Sequence, residues 1–240
     1  MKKYLVTVLL SVFCIAAAAQ TANTVSVAEA PDGEFVQKNN SIKIYGNVLA
    51  GQKTGTWTET YSNTELPHYI IQYLNDKQDG IFIEFDKQGN LVRKIDYKNG
   101  LMDGRYYKFK NTVLLELVEY QEGKKNGAST LYYDDGFIME SSNFKNGQRD
   151  GVTEWYAHRL KEQGEMVAKY TYQDGRFEGL QETFFENGAV KTRKMYANNV
   201  QDGPAFEFYE DGSVKTEATF KKGEIKGKQK EYQQGKKILK

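Results

Sequence analysis

From residue 42 to the C-terminus, apolar and polar residues alternate in short runs, and glycine-bearing turns break the runs at regular intervals. In the run 190–196, Val190, Thr192, Lys194 and Tyr196 fall on one side, and Lys191, Arg193 and Met195 on the other. The run 214–220 repeats this, with Val214, Thr216, Ala218 and Phe220 against Lys215, Glu217 and Thr219. A period of 2 is the mark of a strand. It predicts a sheet with one face richer in aromatic and aliphatic side chains and the other charged. Between such runs stand Asn-Gly and Asp-Gly, which supply the positive φ of tight hairpin turns. Thus 180–185 is read as one strand, Glu186-Asn187-Gly188 as the turn, and 190–196 as the return strand. No helix of consequence is expected.

The runs belong to a repeat. With Tyr73, Tyr97, Tyr120, Phe144, Tyr172, Tyr196 and Phe220 as position zero, the copies are 24, 23, 24, 28, 24 and 24 residues apart. Three positions on comes a turn residue: Asp76, Gly100, Gly123, Gly147, Gly175, Asn199 and Gly223. Seven positions on, every copy has glycine: Gly80, Gly104, Gly127, Gly151, Gly179, Gly203 and Gly227. Twelve on, every copy has an aromatic ring: Phe85, Phe109, Tyr132, Tyr156, Phe184, Phe208 and Tyr232. A second turn glycine follows at Gly89, Gly136, Gly164, Gly188, Gly212 and Gly235, and the copy from Tyr97 uses Lys110-Asn111 instead. A degenerate first copy carries Gly51, Gly55, Trp57 and Tyr61. A single hairpin is marginal in water, so the copies must stack edge to edge, with stability summed over neighbours. The expected fold is all-β: an elongated single-layer antiparallel sheet of seven to eight stacked hairpins.

Composition supports a thin, well-solvated β protein: 22 Gly against 3 Pro, with 13% aromatic and 27% charged residues. The first 19 residues follow a different logic. Lys2 and Lys3, the apolar stretch 4–15 and the alanines 16–19 form a cleavable signal peptide, with Ala17 and Ala19 placing the cut before Gln20. The chain is therefore expected to be exported, and to be periplasmic, outer-surface or secreted. Cys14 is the sole cysteine and lies in this segment, so the mature chain has neither disulfide nor thiol chemistry. Loss of Lys2 and Lys3 leaves 31 basic residues against 32 acidic, a net charge of −1 that recruits no nucleic acid. Residues 20–41 are polar, lack a sustained period and are read as a flexible linker, with one short strand near Phe35 and Val36. The repeat domain is 42–240.

The spacing Tyr-x-x-Gly-x-x-x-Gly-x-x-x-x-Tyr/Phe, seen from Tyr172 to Phe184, resembles the MORN (membrane occupation and recognition nexus) repeat. It is more closely similar to the bacterial variant in proteins labelled YwqK-type antitoxins. The resemblance covers 42 to the C-terminus. It implies a hairpin ribbon shaped by the Gly and aromatic positions, used as a protein-interaction or lipid-facing scaffold, with no catalytic role for those residues.

Candidate chemistry is sparse. His68 and His158 lie beside departures from the repeat and four copies apart, so they are read as solvated loop residues and not as one site. Asp134-Asp135-Gly136 and Glu210-Asp211-Gly212 are explained by turn chemistry; a calcium loop needs oxygen ligands at more fixed positions. No Gly-x-Ser-x-Gly occurs, no Ser stands beside a His base, and no Gly-Lys-Ser/Thr follows the glycines. No metal or cofactor is expected, and the chain is read as not an enzyme. One candidate binding patch is the basic end: Lys221, Lys222, Lys226, Lys228, Lys230, Lys236 and Lys237. It would suit anionic lipid, polysaccharide or nucleic acid, but lysines also blunt an open sheet edge. Three functions remain: an exported scaffold for a protein partner, an envelope lipid- or glycan-binding module, and an antitoxin-type protein that occludes a toxin.

Overall fold

The computed structural model describes residues 25–38 and 42–235. Eighteen strands follow one another from Gly33–Lys38 to Glu224–Glu231, with no helix among the described residues. They form one antiparallel sheet in which strands pair with their neighbours in sequence. Gln148–Arg149 and Gly151–Arg159 are two pieces of one strand, both paired with Ile138–Lys145. The two end strands each have one partner, so the sheet is open. This is the all-β fold of stacked hairpins that the repeat predicts.

Two kinds of turn alternate. At one end of the strands the turns have two residues, both at positive φ, as in Asn99-Gly100 (51° and 83°), Asn146-Gly147 (51° and 85°) and Asp174-Gly175 (47° and 77°). Asn, Asp and Gly pay least for that conformation, and its twist matches that of the strands. At the other end Gly89, Gly136, Gly188 and Gly212 donate their N–H to the carbonyls of Asp86, Tyr133, Phe185 and Tyr209. Gly164 does not join this set. It lies within the strand Glu162–Gln173, and the turn before it places Lys161 at φ 68°. A Cβ on Gly164 would collide with the Ala157 carbonyl, so this glycine serves a close backbone approach.

The invariant glycines seven positions on are also not at the hairpin turns: Gly151 opens the strand Gly151–Arg159 and the other six lie inside theirs. The strand read as 180–185 is Arg176–Phe184 and runs through Gly179. Gly80 lies opposite Tyr97, Gly104 opposite Tyr120, Gly179 opposite Tyr196 and Gly203 opposite Phe220. Each glycine leaves the place facing the next copy's ring free of a side chain. Towards the preceding strand it sits in a bulge. Ile71 pairs with Phe82 but Tyr73 with Gln78, which leaves residues 79–81 facing Gln72 alone. The Gln72 Oε1 accepts the freed N–H of Ile81 at 2.8 Å; Asp96 accepts that of Arg105 at 2.9 Å and Glu119 that of Ala128 at 3.0 Å. The bulge thus keeps its backbone satisfied.

The register lays continuous rows across the sheet. On the first face, one row passes through Trp57, Ile71, Phe82, Ile95, Tyr106 and Val118. It continues through Ser129 and Ser142, then Thr153, Tyr170, Gln181, Lys194, Ala205 and Ala218. This row holds most of the buried residues of the sheet, with Val118 and Thr153 at 0% exposure and Ala218 at 8%, while Tyr106, Tyr170 and Lys194 are half-buried. The N-terminal residues finish it. Val27, 5% exposed, packs with Trp57, Ile44 and Val48, and Phe35 lies 5.5 Å from Trp57. The segment read as a linker therefore supplies a cap and a strand, Gly33–Lys38, paired with Lys43–Leu49. The strand is the one expected near Phe35 and Val36; the packing of Val27 against Trp57 is the departure from a flexible linker. The proposed signal peptide, Cys14 and the cut before Gln20 lie outside the described residues, as do Lys236 and Lys237.

Candidate interaction surface

On the first face, the position-zero aromatics make a second row beside the central one, and the chain fills the space between them with its own side chains. Lys53 lies 5.1 Å over Trp57 and 5.3 Å over Tyr73, and Lys125 lies 5.3 Å over Phe144. Burial holds the phenols of Tyr106, Tyr120 and Tyr172 protonated, each pushed up to about 12. Where the central row shortens to Ser142 and Thr153, Arg149 reaches across it. Its guanidinium meets the buried Glu140 at 2.8 Å and Thr153 Oγ1 at 3.3 Å, within 6 Å of the rings of Phe144, Trp155 and Tyr172. Trp155 Nε1 donates to the other Glu140 oxygen at 2.8 Å, and Ser142 Oγ donates to the first at 3.1 Å. Both charges are thereby paired and hydrogen-bonded, which a buried ion pair requires. This arrangement is internal packing.

The second face is divided along its length. Its central row starts with Val36, Tyr45, Thr58, Ile70 and Ile83, then Lys94, Tyr107 and Leu117. Beyond Thr130 and Ser141 it becomes Glu154, Lys169, Glu182, Arg193, Phe206, Glu217 and Lys230. In the C-terminal part opposite charges pair across strands: Lys169–Glu154 at 3.1 Å, Arg193–Glu182 at 2.8 Å and Lys230–Glu217 at 3.5 Å. In the N-terminal part the row is mainly apolar, interrupted by Thr58 and Lys94, and no second layer of the described chain covers it. Val36 is 62% exposed, Tyr45 38% and the neighbouring Ile81 37%. Ile70, Ile83, Tyr107 and Leu117 are half-buried. An exposed, contiguous apolar strip next to a charged one is the composition of a protein-docking surface.

This differs from the one-sided pattern expected from 190–196. The two aromatic series divide between the faces. Tyr107 and Phe109 line up on the second face with ring centroids 6.3 Å apart, as do Phe206 and Phe208 at 6.1 Å. The rings twelve positions on pair with aliphatic residues, Phe85 with Leu91, Phe109 with Leu114 and Phe184 with Val190, and pin the far end of each hairpin. Tyrosine hydroxyls bind hairpin to hairpin at that end: Tyr61 donates to the Phe85 carbonyl, Tyr133 to that of Tyr156 and Tyr209 to that of Tyr232.

The histidines are not loop residues. His68 lies in the strand Pro67–Leu74, its ring 4.3 Å from Tyr61 and 3.6 Å from Tyr69, with Nδ1 3.6 Å from Glu59. His158 lies in Gly151–Arg159 and meets Asp135 at 3.0 Å. The structure does not bring them together. Of the basic end, Lys221 pairs with Asp202 at 3.0 Å and Lys230 with Glu217, while Lys222 sits in a turn at φ 51°. Lys226 and Lys228 lie on the exposed final strand. Two of the five described lysines are thus neutralised by neighbours, which favours edge protection over a binding patch. The second-face strip went unread, although the chain signals it. Segments 69–74 and 81–85, Tyr-Ile-Ile-Gln-Tyr-Leu and Ile-Phe-Ile-Glu-Phe, are apolar at odd and even positions alike, the pattern of a strand with two apolar faces.

A family model described as the MORN repeat variant matches the chain at residues 78–99, 177–198 and 201–222. Each match runs from the glycine bulge through the Gly89, Gly188 or Gly212 turn to the first residue of the next two-residue turn, so the chain contains repeats similar to that variant. Comparison with curated proteins gives no match.

Proposed function

We propose that this protein is a non-catalytic exported scaffold that holds a protein partner of the cell envelope against the N-terminal half of its second face. The observation that carries this reading is the mainly apolar row from Val36 to Leu117, left uncovered while the rest of that face is neutralised by ion pairs. The signal-peptide pattern supports export. A repeat scaffold suits such a role because its binding surface grows with copy number and needs no reorganisation. On this reading the repeat is of the bacterial YwqK type, and occlusion of a toxin would be one case of the same protein binding. The chemistry-poor sequence, with no nucleophile beside a base, supports a non-catalytic role.

The test places a photo-crosslinking residue at Ile83 or at Glu182 in the full chain expressed in its own cell. Crosslinking from position 83 to one protein in stoichiometric yield, absent from position 182, is expected. A second change, Ile70→Lys on the paired strand beside the crosslinker, should abolish that adduct while the melting temperature stays within a few degrees. Retention by lipid or glycan alone, released by salt, would replace this reading with envelope adsorption.

A further inference from the structure

The first face is closed by packing until it reaches the strands Glu162–Gln173, Arg176–Phe184 and Val190–Ala197, where it opens into a groove of about 270 Å³. Tyr170, Phe177 and Tyr196 wall it. The ring centroids of Phe177 lie 5.4 Å from Tyr170 and 5.7 Å from Tyr196. On the floor, Gln181 is committed to its own backbone: it donates to the Thr171 carbonyl at 2.9 Å and accepts the Thr171 N–H at 3.2 Å. The hydroxyls of Thr183 and Thr192 meet at 2.7 Å, which leaves acceptor capacity and one proton to spare. Lys194 completes the lining, and no carboxylate contributes to it.

Two departures from the repeat make this groove. Five positions into their copies, the others have Gln78, Met102, Lys125, Arg149, Gln201 and Ile225, whereas this one has the ring of Phe177. Two positions before its aromatic, Lys194 stands where others have Ile71, Ile95, Val118, Ser142, Tyr170 and Ala218. The half-buried cations elsewhere on this face are matched: Arg93 by Glu84, Lys125 by Glu116, Arg149 by Glu140, and Lys53 by the rings beneath it. The side chain of Lys194, a half-buried residue, makes neither a hydrogen bond nor an ion pair with any described residue. A cation without a counter-charge beside aromatic walls favours an anion brought from outside.

We infer that this groove binds an acidic sugar unit of a glycan, its ring laid against the Phe177 and Tyr196 rings that wall the groove, its carboxylate on Lys194 and its hydroxyls on the threonine pair. The volume, just below that of drug-sized sites, suits a single ring with its substituents. A bare inorganic anion would leave the three aromatic walls unused, and a neutral sugar would leave the ammonium unpaired. The site is separate from the strip proposed to hold a protein, which lies on the opposite face. Its failure would leave that reading intact.

The full mature chain is titrated calorimetrically with trigalacturonic acid, with neutral galactotriose and with triglutamate, while the Trp155 fluorescence is followed, since Trp155 lies 5.1 Å from Tyr170. Saturable one-to-one binding of the acidic trisaccharide, weakened by salt, is expected. Lys194→Ala and Phe177→Gln introduce the residues that neighbouring copies carry at Ala218 and Gln201, so the hairpin should keep its fold. Each should lower the affinity by about tenfold, the size of one lost charged hydrogen bond or ring contact, while Lys228→Gln on the edge strand leaves it unchanged. Equal binding of the neutral sugar or of triglutamate, no saturation at millimolar concentration, or unaltered affinity in Lys194→Ala would overturn the assignment.

Discussion

Glu59 shows what a one-layer sheet can bury and at what cost. It is 8% exposed, and its partner among the described residues is His68, whose Nδ1 lies 3.6 Å away. Burial pushes the Glu59 carboxyl up from the usual carboxylate range and pushes the His68 imidazole down. The signs are opposite in charge but alike in effect: the folded state prefers both groups neutral. A raised carboxyl contributes stability below its unfolded range and loses it as pH rises through its folded value. A lowered imidazole contributes above its usual range and loses it as pH falls. As pH rises from 4 toward 7, His68 therefore gains its contribution to stability and Glu59 loses its own. Glu59→Gln should raise the melting temperature at pH 7 by about 2–4 °C, the scale of about 1 kcal/mol in a chain of this length. That gain should close below pH 4, where the native carboxyl is already protonated. Thermal melts of both proteins across pH 4–8 measure it, and a gain that persists at pH 4 would mean that the carboxyl is not the cause.

The hairpin is the unit the sequence declares most openly, and its glycines show where legibility stops. That residues 80, 104, 127 and 179 need glycine could be read from recurrence alone; why they need it could not, because a turn and a bulge ask for the same positive φ. The register decides. Gly104, at φ 119°, lies in a bulge where a Cβ would sit 2.7 Å from the Asp96 Cβ, whereas Gly179, at φ 74°, has open space there. Gly179→Ala should therefore cost only the backbone preference, about 1 kcal/mol. Gly104→Ala adds a clash and loosens the Asp96 cap on the Arg105 N–H, for about 2–3 kcal/mol. Urea unfolding of the two variants should separate them, and equal midpoints would contradict this bulge geometry. The surfaces follow the same division. The alternation 190–196 correctly foretold a charged second face for the C-terminal hairpins. It misled for the N-terminal ones, where Ile70 and Ile83 oppose Ile71 and Phe82 on the other side of the same strands. The groove at Lys194 was hidden for a related reason: Phe177 and Lys194 are 17 residues apart and meet only once neighbouring strands are in register.

At the scale of the molecule, strand-to-neighbour pairing replaces a central core. Each hairpin buries its part of the central row only against the copies beside it, so stability should be a sum of adjacent terms. The C-terminal end is the least supported: all eight residues of Glu224–Glu231 are exposed, and this strand has a partner on one side alone among the described residues. Seventeen strand positions at about 4.8 Å give a ribbon of about 80 Å. Its radius of gyration should exceed 20 Å, against about 17 Å for a compact globule of similar length. Truncation from Lys221 removes that last strand and uncovers the one ending at Phe220. The remainder should stay folded, lose at most a few degrees in melting temperature, and shorten by about one strand spacing. Small-angle scattering and thermal melts on the mature chain and the truncation read both quantities. A radius near the compact value, or loss of all structure on truncation, would mean that the hairpins fold back on each other, and the second-face strip would then be buried within the chain instead of offered to a partner.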